Sequence, residues 1–238
     1  MRIQIVPTAT HCKSVDFKNK TVVIIDVLRA SSVMTTALFN GAKAILAISS
    51  PELALAAFNN YNTGEALLCG ERNAIRIEGF DLGNSPREFT RQRIQDKVII
   101  LTTSNGTVAI NQAMEAKELF VASFLNISSI ANHLTHKTKE LVILCSGTNG
   151  DFSMDDGLCA GMLISLLSQT NKIETDDSGI ILKAFYEANE SDIYAGLSNC
   201  RHLNYLIDNG FEKDVLFCLR VDVYNVVPRL SGKLIVAS

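Results

Sequence analysis

The chain predicts an α/β fold. It has a three-layer α/β/α arrangement with a mostly parallel or mixed central sheet and an active site at the carboxyl ends of the strands. Three observations lead there. Short apolar runs recur along the 238 residues, each too short and too uniform for a surface helix. They alternate with helix-periodic segments, the order that builds a parallel sheet covered on both faces. And three units share one plan of strand, small-polar loop and helix: VVIID-VLRASS, VIIL-TTSNGT and LVILC-SGTNGD. No linker or low-complexity segment intervenes, so one domain over 1–238 is expected, with two subdomains on a shared core as the variant.

Taken in order, residues 2–6 alternate as a strand that Pro7 ends. Residues 21–26 form a continuous apolar run closing on an acid. LRASS follows, then a helix with Val33, Met34, Ala37 and Leu38 inward, stopped at Asn40-Gly41. A strand is expected at 44–48, a helix from Pro51 to about 59, and a short strand at 66–69. The latter runs into GERNAIRIEGFDLGNSPREFT, a long irregular segment of the kind that tends to carry function. Strands at 98–101 and 119–122 and helices at 107–116 and 127–136 come next.

The strand at 141–145 then ends in a glycine-bearing loop, and Ser153 opens a helix with Asp156 at capping-box spacing. Helices at 177–188 and 199–208, a strand at 215–223 and a closing hairpin or edge strand complete the chain. Turns and helix caps alone make such loops rich in small polar residues. Three of them at one sheet edge still point to a shared ligand crevice.

An apolar fraction of 47% against 20% charged residues is that of a well-buried soluble protein. A net charge of −3 without a Lys/Arg cluster argues against a nucleic-acid partner, and no apolar run reaches membrane-spanning length. The six cysteines form no C-x-x-C pair, which fits reduced thiols and a cytoplasmic location. No secretory leader is visible. Oligomeric state is open, with a homodimer allowed.

A strand feeding a donor-rich loop and a helix N-terminus is suited to anions, and Asp155 and Asp156 stand where an anion would bring a cation. No G-x-x-x-x-G-K-[ST] or G-x-S-x-G occurs. A C-x5-R phosphatase loop on Cys145 would need arginine where Asp151 stands, so Cys145 is expected to be a buried strand end. The histidines lack ligand spacing, and His133 and His136 are expected to face solvent near a helix end. Asp26 is placed like the nucleophile of an aspartyl-phosphate enzyme, with Thr102 or Thr103 as the second-motif hydroxyl. The partner acid two residues on is replaced by Leu28. Direct attack by metal-assisted water is therefore favoured over a phosphoenzyme on Asp26.

VVIIDVLRASS, GERNAIRIEGFDLGNSPREF, TTSNGT, CSGTNGDFSMDDGLCAG and GFEKDVLFCLRVDVYNVVP run in order from residue 22 to 228. Together they resemble the 2-phosphosulfolactate phosphatase family. The resemblance implies a magnesium-dependent acid phosphatase acting on a small three-carbon phosphate ester that also bears sulfonate and carboxylate. In some organisms that reaction belongs to coenzyme M biosynthesis. Ala74 stands where glycine is expected, Asp155 where glutamate is commoner, and Cys200 where glycine usually precedes the arginine.

On this reading Asp26, Arg29, Glu71, Arg72 and Asp155 are the catalytic candidates. Those for substrate binding are Ser31, Ser32, Asn84, Ser85, Arg87, Thr103, Ser104, Asn105, Gly106, Thr107, Ser146, Gly147, Asn149 and Gly150. Guanidinium forks such as Arg29, Arg72 and Arg87 suit phosphate, sulfonate and carboxylate alike. Asp26, Glu71, Asp81, Asp155 and Asp156 are the oxygens available to Mg²⁺, which takes one or two protein carboxylates. A small-anion binder without turnover is the competing function, though such a protein gains nothing from five carboxylates near its ligand.

Overall fold

Eleven strands, one mixed sheet and ten α-helices make up the described part of the chain, with helices covering the strands in an α/β fold. The computed structural model describes residues 1–135 and 137–238, for Lys13 and Ser14 the backbone only. His136 therefore lies outside the described residues. The strands are β1 (Arg2–Val6), β2 (Thr21–Ile25), β3 (Ala44–Ala47), β4 (Ala66–Arg72), β5 (Ile75–Arg76) and β6 (Val98–Thr102). β7 (Glu118–Ala122), β8 (Glu140–Cys145), β9 (Glu174–Thr175), β10 (Pro228–Ser231) and β11 (Leu234–Ala237) follow. The helices are α1 (Ala30–Phe39), α2 (Pro51–Phe58), α3 (Arg91–Ile94), α4 (Gly106–Gln112) and α5 (Ile127–Leu134). After them come α6 (Met154–Ser168), α7 (Asp177–Asn189), α8 (Ile193–Gly196), α9 (Arg201–Asp208) and α10 (Glu212–Cys218).

The strand order is β5-β4-β6-β3-β11-β10-β7-β2-β8-β1-β9. β4, β6 and β3 are mutually parallel, and so are β7, β2, β8, β1 and β9. Between these blocks sits the C-terminal hairpin, joined to β7 at Arg229–Phe120 and to β3 at Ile235–Ile45. Each of its three antiparallel pairings reverses the strand sense, so the two parallel blocks run in opposite directions. The sheet is mixed, one of the two arrangements expected, and the expectation that all three loops leave one carboxyl edge is corrected: the loop after β6 belongs to one block, those after β2 and β8 to the other.

The blocks are nonetheless welded. β2 and β6 are buried along their whole length, as strands covered on both faces must be. One apolar cluster takes Val22 and Ile24 from one block, Ile99 and Leu101 from the other, and Val33, Met34, Ala109 and Ile110 from α1 and α4. A second covers the other face of β2 and β8 with α5 and α6, and a third small one holds Ala54 of α2 against β4 and β6.

Two elements depart from expectation. The stretch 215–223 contains the end of α10 rather than a strand. Asp214, Val215, Cys218 and Leu219 are buried while Leu216 is exposed, which is helical spacing. β4 extends to Arg72 and returns through Asn73 and Ala74 as β5, so the long polar segment opens as a hairpin. Both tip residues have positive φ, 53° and 65°, as a two-residue I′ turn requires; this is the geometry that makes glycine the expected residue at 74. No helix among the described residues is long and apolar enough to cross a membrane.

Candidate active site

The loops after β2, β4, β6 and β8 meet at a cavity of about 470 Å³, closed on one side by residues 199–206. That volume is in the range of pockets that hold whole small molecules.

Asp26 stands one residue beyond β2 and is 6% exposed. Its main-chain N–H donates to Ser31 Oγ (2.9 Å), and its Oδ1 accepts from Ala30 N–H (2.9 Å). Oδ2 lies beside Gly106, at the start of α4. Burial pushes the Asp26 carboxyl up to about 7. Repulsion from Asp155 and Glu71 adds to this, while the Ala30 N–H and Arg29 oppose it.

Glu71 and Asp156 are committed to the backbone. Glu71 accepts from Ser104 N–H (2.8 Å) and Ala74 N–H (2.9 Å), tying the loop after β6 to the hairpin tip. Thr103 and Thr107 close that loop with reciprocal bonds from each backbone N–H to the other's hydroxyl (3.0 and 3.1 Å). Asp156 accepts from Val27 N–H (2.9 Å) and Gly147 N–H (3.0 Å), bracing the loop after β2 against that after β8. It does not cap its helix, contrary to the capping-box reading. Burial, with Asp155 and Asp26 nearby, holds its carboxyl well above the usual range. Asp155 sits behind the wall, accepting from Ser153 Oγ and, at 3.6 Å, from Cys200 Sγ. His202 Nδ1 is 4.0 Å from its other oxygen and 2.9 Å from Thr148 Oγ1.

The cations divide sharply. Arg29 is 3% exposed and donates to Asp214 Oδ2 (2.8 Å) and Ala74 O (2.9 Å), with its guanidinium 4.2 Å from the Phe211 ring centre. Asp214 also accepts from Ser85 Oγ at 2.7 Å. Separating such a buried pair costs about 3–5 kcal/mol. Arg201 is 84% exposed, and its partner Asp151, 3.4 Å away, is 72% exposed. Exposed pairs contribute only about 0–1 kcal/mol.

Of the residues expected from sequence, Asp26, Arg29, Glu71, Asn84, Thr103, Ser104, Asn105 and Asn149 line the cavity. Asn84 has a buried Oδ1 with no hydrogen-bond partner among the described residues. The rest stand outside its wall. Ser31 and Ser32 lie inside α1, their hydroxyls bonded to Asp26 N and Val27 O. Arg72 turns to Glu71 O and Thr102 Oγ1, Ser85 is held by Asp214, and Arg87 is half exposed beside Asp214. Gly106, Thr107, Ser146, Gly147 and Gly150 shape the loops from behind. Asp81 is exposed and accepts from Leu68 N–H.

Cys145 is wholly buried and its thiol is pushed well up by burial, as a strand-end packing residue. Thr148 and His202 line the cavity outside the expected set, and so does Arg201, marked in the sequence only as the arginine that Cys200 precedes. For His202 the local signal is no more than a polar residue in the first turn of a helix.

For a cation the donors are few. Among the described residues no three His, Cys, Asp or Glu side chains gather as ligands. An ion such as Mg²⁺ keeps waters and substrate oxygens around one or two carboxylates, so it needs no such group. Asp26, buried with an oxygen beside Gly106 and repelled by Asp155 and Glu71, is the group such a charge would relieve.

Comparison with known proteins agrees along nearly the whole chain. Residues 6–233 match the sequence family described as 2-phosphosulpholactate phosphatase. A relative from Caldanaerobacter subterraneus, named probable 2-phosphosulfolactate phosphatase, is 40% identical over 99% of this chain and 98% of its own. Proteins of that name from Clostridium novyi and Clostridium acetobutylicum are 39% and 36% identical, covering 96% and 98% of this chain and the same shares of their own.

Proposed function

The chain belongs to the 2-phosphosulfolactate phosphatase family of phosphoric monoester hydrolases, and on that footing we propose that it hydrolyses 2-phosphosulfolactate to 3-sulfolactate and inorganic phosphate. The observation that carries the mechanism is Asp26: a buried carboxylate with its proton affinity raised to about 7, at the edge of a cavity rimmed by short polar side chains. A base is most effective when its pKa lies near the working pH. Asp26 accepts a proton from the attacking water as the ester P–O bond breaks, and the departing sulfolactate oxygen takes up a proton from solvent water. Thr103, Ser104, Asn105 and Asn149 surround the phosphoryl oxygens. Glu71 keeps the loop after β6 in place through Ser104 N–H, and Asp156 keeps the two loops of the other block in register.

Mg²⁺ would be held by Glu71, which lines the same cavity as Asp26, with waters and phosphate oxygens completing its shell; it would neutralise phosphate charge and supply Lewis acidity. Phosphate release from 2-phosphosulfolactate, with Mg²⁺ and with EDTA, tests this reading. Release that stops on chelation and returns with Mg²⁺ is expected. Full turnover without metal contradicts the metal assignment, and no release under any condition contradicts the function.

A further inference from the structure

We propose that Arg201 selects substrates carrying a second anionic group, by pairing with the sulfonate or carboxylate of the ester while its phosphate lies at Asp26. The inference rests on the phosphatase reading above and extends it to substrate choice.

The cavity is larger than a phosphate needs, and the wall at 199–206 comes from a segment apart from the strand-end loops. Its acids, Asp26, Glu71 and Asp151, give it no surplus of positive charge, so a multiply charged ester needs an available cation. Arg29 is not available: it is buried, paired with Asp214 at 2.8 Å and stacked on Phe211. Arg201 is the opposite case. It lines the same cavity, and among the described residues its charge is paired with an exposed acid at 3.4 Å. Transferring it from Asp151 to a ligand leaves Asp151 in water, at little cost. A planar guanidinium also matches the paired oxygens of carboxylate and sulfonate.

The test compares the Mg²⁺-loaded full chain with Arg201→Gln and Arg201→Lys on 2-phosphosulfolactate and on p-nitrophenyl phosphate, which has no second acid. Calorimetric binding of 3-sulfolactate is measured alongside. Loss of a charge-assisted contact lowers kcat/KM for the acid-bearing ester by about 10- to 100-fold in Arg201→Gln, mostly through KM. Lysine restores part of it, and p-nitrophenyl phosphate falls far less. Sulfolactate affinity drops by a similar factor, a readout that needs no turnover; it stands even if the wild type hydrolyses neither ester and the phosphatase reading fails. Equal losses on both esters, or sulfolactate bound no better by the wild type than by Arg201→Gln, overturns the proposal.

Discussion

Replacing Gly106 by alanine bears on the site through one atom. A Cβ there would stand 2.6 Å from Asp26 Oδ2, 2.6 Å from Ala30 Cβ and 3.2 Å from Asp26 Cγ. Ordinary contacts between carbons need roughly 3.5–4.0 Å, so α4 or the Asp26 carboxylate must move by about 1 Å. Ala30 is wholly buried and packed in the central cluster, which leaves the carboxylate as the easier group to displace. Such overpacking costs about 1–3 kcal/mol. For a chain of this size that lowers the melting temperature by about 2–12 °C. A misplacement of about 1 Å at the reacting centre costs on the order of 10²-fold in rate.

The assay pairs circular-dichroism melting with phosphate release at a temperature well below both transitions. A folded Gly106→Ala protein with kcat reduced by about 10²-fold is expected. Wild-type turnover in a folded variant refutes the idea that Gly106 is small to let Asp26 keep its place.

Two further outcomes follow from buried charge. Asp214→Ala strands Arg29 and should lower stability in urea by about 3–5 kcal/mol; a loss below about 1 kcal/mol would mean that Arg29 finds water. Asp26 keeps its proton to about pH 7 when folded, against an ordinary value of 3.8. The folded state therefore binds the extra proton between those values, and stability of the metal-free protein falls as pH rises through that window. Asp26→Asn should melt above the metal-free wild type at pH 8 and lose that advantage below about pH 4. An equal difference at both pH values argues against a strained carboxylate.

Much of this was legible because it is local. β2, β6 and β8 announce themselves as apolar runs, and Asp26, Thr103 and Asn149 are readable because each lies just past such a run. What was not legible depends on distant pairing. The insertion of the C-terminal hairpin between β3 and β7 sets the opposed directions of the blocks, and no local pattern encodes it. The α10 segment, VLFCL, reads as a strand until its burial splits it into helical turns. Asp156 has capping spacing yet braces residues nine and 129 positions away along the chain. Arg201 and His202 enter the site only because α9 folds over it.

The central claim is that water, with Asp26 as its base, attacks phosphorus. Hydrolysis in H₂¹⁸O of the thiophosphate analogue of 2-phosphosulfolactate, chiral at phosphorus through one ¹⁶O and one ¹⁷O, measures it most directly through the configuration of the released thiophosphate. The account predicts inversion, the outcome of a single in-line attack by water. Retention would contradict it, since two displacements through a phosphoenzyme would then have occurred.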